Sequence, residues 1–195
     1  MVGDRRGQIV DAAVAIARVE GLPGLSVRRV ATAADVGAST LRHYFPTQRE
    51  LHEAVIGEMI GQEVDDVRIA DRTVPPAERL TECLAQFLPP EDGQEAALQA
   101  VVALWAAAWG SGATSSARAT LSAMVAEAGR RVARWLDVLA GEQALRTGDR
   151  DRQVALLLAV VDGLALRLLD PEAGATVADA RAVLRDAVGV VVLDG

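Results

Sequence analysis

The sequence predicts an all-α protein of about nine helices, with an N-terminal three-helix domain, residues 1–52, and a larger helical domain, residues 53–195. Ala, Val, Leu and Arg dominate a chain that is 51% hydrophobic but only 3% aromatic, and alternating runs of β-branched residues are nearly absent. This composition favours helices over strands. The apolar residues recur at the three- and four-residue spacing of helices, between clear Gly and Pro breaks.

The first fifty residues contain three short helices, predicted over residues 7–19, 27–34 and 38–45. Gly21 ends the first helix, and the Ser26 side chain is suited to cap the second. Asp35 stands at the turn between the second and third helices, where Asp tolerates a left-handed backbone. Gly37 starts the third helix. Thr47, with Glu three residues later, matches a capping box and begins the fourth.

The fourth helix is expected to continue to about residue 67, and five more follow it. They are predicted over residues 77–88, 95–109, 115–139, 150–169 and 176–192. The breaks between them contain Pro or Gly, as at Pro89–Pro90 and Gly110–Gly112. The stretch Val154–Leu169 is the most apolar, but charged residues interrupt it. It is also shorter than the roughly 20 residues that a bilayer span needs, so no membrane contact is expected.

Charge is divided unequally along the chain. The net charge is −7, and every one of the 20 basic residues is Arg. Residues 1–52 contain seven Arg and five acidic residues, which gives +2, and the remainder carries −9. This asymmetry is compatible with a DNA-facing N-terminal domain on an acidic body.

Several classes of site are excluded by the residues present. The single Cys83 rules out an intramolecular disulfide and a Cys-based zinc site. His43 and His52 lie nine residues apart without a partner at ligand spacing. The sequence has no nucleophile elbow, phosphate-binding loop or dinucleotide fingerprint. We therefore expect no catalytic residue, no metal and no cofactor. Because the charged N-terminus is unlike a signal peptide, we expect a cytoplasmic protein.

The run Arg28–Leu51 is typical of two crossed helices joined by a tight turn. Its apolar positions pack the pair together; they are Val30, Ala31, Ala34, Val36, Leu41 and Phe45. The side chains left to point outward are Ser39, Thr40, Arg42 and His43. A short helix with a small polar start and an Arg-His end is suited to the major groove of DNA.

The spacing of these positions resembles the DNA-binding domain of the tetracycline-repressor (TetR) family of transcriptional regulators. The matching residues are Ile9, Ala12–Ala13, Gly21, Ser26–Val27, Val30–Ala31, Ala34, Val36, Thr40–Leu41, Phe45–Pro46 and Leu51. The resemblance implies a homodimeric repressor that a small-molecule effector releases from a palindromic DNA operator. One alternative is an activator, or a regulator whose C-terminal domain only dimerises. A more distant alternative is a helical ligand carrier or enzyme.

The candidate DNA-binding residues fall into two groups. Those expected to contact phosphates, mostly at the starts of helices two and four, are Ser26, Arg28, Thr40, Tyr44, Thr47 and Gln48. Those expected to contact base edges are Ser39, Arg42 and His43. Arg5 and Arg6 are expected to form a disordered arm that reaches the backbone or the minor groove. The alternative for each arginine is that it lies on an exposed helix face, is solvated by water and contacts no DNA.

Large side chains in Ala-rich helices are candidates for an effector pocket. They are Phe87, Trp105, Trp109, Met124 and Trp135. Such helices can pack around an internal cavity, which is how the TetR family usually holds an effector, and a small apolar effector is expected. The alternative is ordinary core packing. Glu95, Glu127 and Asp162 would select a cationic effector, unless they are only solvated.

The last two helices are expected to form a two-fold interface. Helix eight is apolar on nearly every side and must therefore be covered on two faces. The residues expected at the interface are Leu157, Val161, Leu164 and Leu168 of helix eight and Val183, Leu184 and Val188 of the last helix. The alternative is burial in the centre of a monomer, which would leave the last helix with few elements to cover it. We therefore expect a homodimer.

Overall fold

The computed structural model describes residues 5–90, 94–170, 172 and 174–193. Their α-helices are α1 Arg5–Glu20, α2 Val27–Ala33, α3 Ala38–Tyr44, α4 Gln48–Glu63, α5 Pro76–Ala85, α6 Gln94–Trp109, α7 Ser115–Gly141, α8 Arg150–Arg167 and α9 Val177–Gly189. A short 3-10 helix, Leu22–Gly24, connects α1 to α2. Within these described residues, β-structure is limited to one bridge, between Leu145 and Val192. The prediction of an all-α fold with about nine helices is confirmed.

The chain divides into two compact units. The first unit combines Met1–Glu63 with Leu104–Glu127, and the second combines Val64–Ala103 with Ala128–Gly195. Helices α6 and α7 therefore each contribute residues to both units. The domain boundary predicted at residue 52 lies within α4, in the first unit, and it stays a prediction.

Helices α1 to α4 build the core of the first unit. α1 packs against α2, the 3-10 helix and α4, and α2 packs against α3. The fully buried side chains between them are Ile9, Ala13, Val30, Leu41, Leu51 and Val55. They are spaced four residues apart in α1 and α4, so each of these helices has one apolar face on the core. This burial holds α3 in place while most of its side chains stay exposed.

Local polar contacts set the ends of the short helices. Ser26 Oγ accepts a hydrogen bond from the Arg29 backbone N–H at 3.3 Å, which caps α2 as predicted. Asp35 has a left-handed backbone, with φ 51°, at the predicted turn. Thr47 Oγ1 accepts from the Glu50 backbone N–H at 3.1 Å and caps α4. These contacts satisfy backbone N–H groups that have no partner within their own helices.

Helix α9 lies in the core of the second unit. It packs against α5 on one side and α8 on another. The fully buried leucines and valine of these three helices are Leu80, Leu84, Leu157, Leu184 and Val188. α7 adds Trp135, Leu136 and Leu139, which are equally buried. One face of the last helix is therefore buried within a single chain, chiefly because α5 packs on it.

The chain after α9 pairs with the loop that precedes α8. The Arg146 N–H donates to the Val191 carbonyl, and the Leu193 N–H donates to the Ala144 carbonyl, both at 2.8 Å. Arg146 Nε also donates to the carbonyl of Gly189 at 3.1 Å. α9 ends at Gly189, earlier than predicted, because the residues that follow take part in this pairing.

Residues 64–69, hereafter the 64–69 segment, follow α4 and belong to the second unit. The buried Arg131 donates through Nη1 to the Val64 carbonyl, and the buried Arg79 donates through Nη1 to the Ile69 carbonyl. α4 thus ends at Glu63 rather than near residue 67, because the next backbone groups bond to side chains instead of continuing the helix.

Two more side chains bind the middle of the 64–69 segment. Gln86 Oε1 accepts from the Asp65 N–H, and Gln86 Nε2 donates to the Asp65 carbonyl, both at 2.7 Å. Trp135 Nε1 donates to Asp66 Oδ1 at 2.8 Å. Val67 follows with φ 40°, in the left-handed region. The conformation of the segment is therefore set by distant side chains rather than by its own sequence.

Candidate nucleic-acid interface

Helices α2 and α3 form a compact helix-turn-helix. The turn is closed by a hydrogen bond from the Val36 N–H to the Ala31 carbonyl at 2.9 Å. Val30 of α2 and Leu41 of α3 are fully buried beneath the turn. Gly37 precedes α3 with an extended backbone and makes no side-chain cap. The second helix of the pair is thus fixed by its buried side, and its other side is available to a partner.

The side chains predicted to contact bases lie on one exposed face of α3. Ser39 and His43 are four residues apart, Arg42 is three residues after Ser39, and all three are exposed. The His43 and Tyr44 rings meet edge to face, with centroids 5.2 Å apart. Thr40 is half-buried and Tyr44 is exposed. Residues three and four apart on a helix share a face, so this set can enter a groove together.

A groove of about 570 Å³ runs between α2 and α3. It is lined by Ser26, Arg28, Ala31, Val36, Ala38 and Arg42, among others. The groove brings a predicted phosphate contact, Arg28, to the same place as a predicted base contact, Arg42. The α3 residues that line the groove are Ala38 and Arg42, which are one turn apart on the helix. Ser39 and His43, also one turn apart, form the neighbouring row of side chains along α3.

The predicted N-terminal arm is wrong. Arg5 and Arg6 form the first turn of α1. Arg5 Nη1 donates to Gln8 Oε1 at 3.1 Å, and the Arg6 guanidinium lies 5.2 Å from the centroid of the Phe45 ring. The attraction of the guanidinium for the aromatic face, together with the packing of α1, favours helix over an arm at these positions.

Gln48 and Thr47, predicted to contact phosphates, bind their own chain. Gln48 Nε2 donates to the Leu25 carbonyl at 3.1 Å and lies 3.5 Å from His52 Nε2. Thr47 Oγ1 caps α4 and also donates to Glu50 Oε1 at 2.9 Å. Burial lowers the pKa of the His52 imidazole. The Gln48 amide therefore ties the start of α4 to the loop before α2, an effect that sequence spacing does not reveal.

Five of the seven arginines in residues 1–52 are engaged within the chain. Both terminal nitrogens of Arg29 bond the Glu20 carboxylate, which lowers the pKa of that carboxyl. Arg49 Nε lies 3.4 Å from Glu53 Oε1. Arg5 and Arg6 have the contacts given above, and Arg18 also interacts within the chain.

The other two arginines are Arg28 and Arg42. Among the residues that the structure describes, neither guanidinium has a hydrogen bond, an ion pair or a ring contact. Both side chains are exposed.

The five large residues predicted to wall an effector pocket have different environments. Trp135 is buried, bonds Asp66, and packs on Phe87 with ring centroids 5.8 Å apart in the second unit. The Trp135 ring and its polar atom are thus used within the core, whereas Phe87 is half-buried, and a ligand contact of either residue stays a prediction. Trp105, Trp109 and Met124 are exposed in the first unit. Arg118 lies over the Trp109 ring.

The acidic residues considered for a cationic effector also differ. Glu127 of α7 is buried beside α4 in the first unit, where a Cβ on Gly57 would lie 3.5 Å from Glu127 Oε2. Burial raises the pKa of Asp162 on α8. The Glu95 side chain lies outside the described residues.

Most residues predicted at the dimer interface are buried within the chain. Six of the seven pack internally; they are Leu157, Val161, Leu164, Leu168, Leu184 and Val188. Because α9 packs against α5 and α8 within the chain, these side chains have neighbours without a second copy, and their place at a dimer interface stays a prediction. Val183 is exposed as predicted. The other exposed apolar side chains of this region are Leu156, Leu166 and Val190.

In the part of the chain that the structure describes, no helix is long and apolar enough to cross a membrane. No group of three or more His, Cys, Asp or Glu side chains is placed to hold a metal ion among those same residues.

Comparison with known proteins gives two family matches that together span most of the chain. Residues 9–55 match the bacterial regulatory proteins of the tetR family, and residues 76–192 match the C-terminal domain of BetI-type transcriptional repressors. The HTH-type transcriptional regulator PksA of Bacillus subtilis (strain 168) is 28% identical over 173 residues. That alignment covers 86% of this chain and 80% of PksA.

Solved structures share the fold over nearly the whole chain. A transcriptional regulator from Saccharomonospora viridis, in complex with choline, has a TM-score of 0.58 at 18% identity and covers 97% of this chain and 98% of its own. A TetR-family regulator from Rhodococcus sp. has a TM-score of 0.55 at 24% identity, with 96% and 97% covered.

Proposed function

The chain belongs to the TetR family of bacterial transcriptional regulators, and we propose that it represses transcription by binding a palindromic operator as a homodimer. A small-molecule effector then releases it. The observation that carries the proposal is the exposed face of α3, where Ser39 and His43 stand one turn apart above the buried Leu41. A rigid helix with one buried side and one row of hydrogen-bonding side chains is suited to reading base edges in the major groove.

The reading geometry requires two copies of α3. In helix-turn-helix dimers the recognition helices enter successive major grooves, about 34–36 Å apart, and the operator repeats the two-fold symmetry of the protein. The net charge of +2 on residues 1–52, against −9 elsewhere, turns this domain rather than the body towards DNA.

The exposed sides of α8 and α9 support a homodimer. Leu166, Val183 and Val190 are exposed apolar side chains on these helices. Ala155 and Ala159 of α8 are exposed as well, and such small side chains allow a second helix to approach closely. A two-fold axis that passes this surface would cover it with the same surface of a second copy.

A small organic effector with an apolar body fits the first unit best if it carries a positive charge. The Glu127 carboxylate is buried beside α4, and a cationic group of the effector would add to the contacts that this carboxylate already makes within the chain. The related fold from Saccharomonospora viridis was crystallised with choline, a quaternary ammonium. To release DNA, the effector must bind the DNA-free conformation more tightly than the bound one, since tight binding alone shifts no equilibrium.

The DNA-binding proposal is tested by fluorescence anisotropy across a range of salt. The probe is the duplex upstream of the protein's own coding sequence, and the control is a scrambled duplex. We expect tight, salt-sensitive preference for one duplex, and His43→Ala to reduce that preference more than it reduces binding to the scrambled duplex. If no preferred duplex is found here or in a selection from random duplexes, the proposed function is wrong.

The homodimer and the effector need separate experiments. Sedimentation should show a dimer that Leu166→Asp converts to monomer, while Ser122→Asp, an exposed change on α7, leaves it intact. Thermal denaturation with choline and with 3,3-dimethylbutanol, its neutral analogue of the same shape, tests the charge of the effector. A shift with the cation that Glu127→Gln removes would support a cationic effector, and equal shifts with both compounds would contradict it.

A further inference from the structure

The two arginines of the N-terminal region whose guanidinium groups have no partner among residues 5–90 and the other described parts of the chain line one groove. Arg28 comes from α2 and Arg42 from α3, and both border the 570 Å³ space between these helices. The remaining arginines of residues 1–52 are engaged within the chain. Arg29 and Arg49 are paired with carboxylates, whereas the charges of Arg28 and Arg42 border the α2–α3 groove without an acidic partner among the described residues.

The chemistry of the groove fits one tetrahedral anion. A guanidinium presents several N–H donors in a plane and binds phosphate oxygens in pairs. Two guanidinium groups that border the same groove, one from each helix, can bind different oxygens of one phosphate. The Ser26 side chain also lines the groove, and its hydroxyl hydrogen stays available while its oxygen accepts the cap bond from Arg29.

The helical register of α3 places Arg42 at the edge of the exposed face that borders this groove. Ala38 and Arg42 form the row of α3 that lines the groove, and Ser39 and His43 form the next row. A side chain in the first row lies between two helices, where the sugar-phosphate backbone of a duplex can pass. The side chains of the second row, Ser39 and His43, lie on the exposed face and do not border the groove.

We propose that one backbone phosphate of the operator lies in the α2–α3 groove and is held jointly by Arg28 and Arg42. Arg42 is then a residue that positions the protein on DNA, and Ser39 and His43 are left to read bases. This inference rests on the proposed function, because it assigns contacts within the same DNA complex. It replaces the prediction that Arg42 reads a base edge.

The test measures salt dependence and phosphate sensitivity on the preferred duplex, selected from random sequences with the wild-type protein. The variants are Arg28→Met, Arg42→Met and the double variant, and Arg185→Met is the control for the loss of one positive charge on the body. Far-UV circular dichroism and urea midpoints verify that each variant folds. A set of duplexes, each with one uncharged methylphosphonate, locates the phosphates that each variant still recognises.

Joint binding of one phosphate predicts non-additive slopes. Either single variant leaves that phosphate neutralised, so the slope of log affinity against log salt changes little, and the double variant lowers it by about 0.9. The same methylphosphonate position should weaken wild-type binding and have less effect on both single variants. Arg185→Met should leave the slope and the sensitive position unchanged.

Three results would overturn the inference and leave the proposed function in place. One is a slope that falls by about 0.9 in each single variant and by twice that in the double variant, which means two separate phosphates. Another is a relaxed preference at one base pair in Arg42→Met, which means base reading. The third is an effect of both variants on binding of inorganic phosphate with no change on DNA, which means a small-anion site. If the wild-type protein prefers no duplex at all, both the inference and the proposed function fail.

Discussion

We predict that the fold is strongly destabilised when the buried Arg79 loses its partner Glu142. Arg79 Nη2 lies 2.6 Å from Glu142 Oε2 and Nη1 lies 3.3 Å from Oε1. The Arg79 side chain is only 2% exposed, and that of Glu142 is 12% exposed. Glu142→Ala would leave a buried guanidinium with the Ile69 carbonyl as its main remaining partner. Removal of one member of a buried pair costs about 3–5 kcal/mol.

A second arginine that pairs with the Glu142 carboxylate, Arg72, provides the control variant. Arg72 Nε lies 3.4 Å from Glu142 Oε1, but the Arg72 side chain is 76% exposed. An exposed pair contributes about 0–1 kcal/mol, so Arg72→Ala should change stability little. With a loss of about 3 kcal/mol and a urea m-value of about 2 kcal/mol/M, Glu142→Ala should lower the urea midpoint by about 1.5 M. Tryptophan fluorescence, with Trp135 in the same unit, follows the transition.

The difference in stability between wild type and Glu142→Ala should depend on pH in a known direction. The hydrogen bond from Arg79 holds the pKa of Glu142 below its ordinary value of 4.5. The stabilisation is complete above pH 4.5 and is lost as pH falls through the lower value of the folded protein. The gap between wild type and Glu142→Ala should therefore narrow in acid. Equal midpoints for Glu142→Ala and Arg72→Ala at neutral pH would refute the reasoning.

Three further predictions concern single residues. Because burial lowers the pKa of His52 from 6.5, stability should fall as pH drops below 6.5, and His52→Gln should remove that dependence in urea titrations. Gly24→Ala places a Cβ 2.8 Å from Glu20 Cβ and should cost about 1–3 kcal/mol, whereas Gly112→Ala, with nothing within 4 Å, should be neutral in thermal melts. The Cys83 thiol is buried and its pKa is raised to about 12, so a thiol reagent should modify it only on unfolding; rapid labelling of the folded protein would contradict this.

Features that depend on near neighbours were predictable from the sequence. The Ser26 cap, the left-handed Asp35 and the Thr47 cap each involve residues within four positions, and the structure contains all three. The outward face of α3 followed from the periodicity that buries Leu41. The end of α4 did not, because Arg131, 67 positions from Val64, decides it.

In the candidate site, too, features set by near neighbours in the sequence were predictable and features set by distant residues were not. Exposure of Ser39 and His43 follows from helical period, but the engagement of Gln48 with Leu25, 23 positions away, requires the tertiary fold. An all-round apolar α8 indicates two covered faces without saying what covers them. Hydrophobicity therefore assigned Leu157 to a partner, although the chain itself buries it. Periodicity identifies a buried face, and only packing identifies the neighbour.

The left-handed backbone of Val67, between α4 and α5, depends on contacts from side chains elsewhere in the chain. A β-branched residue in this region costs about 1–2 kcal/mol and persists only where its surroundings impose it. Here Gln86 and Trp135 hold the residues before Val67, and Arg79 holds Ile69 after it. Loss of any of these bonds removes part of what holds Val67 in this conformation. A substitution in α5 or α7 therefore changes the backbone of the 64–69 segment, although it lies far from that segment in the sequence.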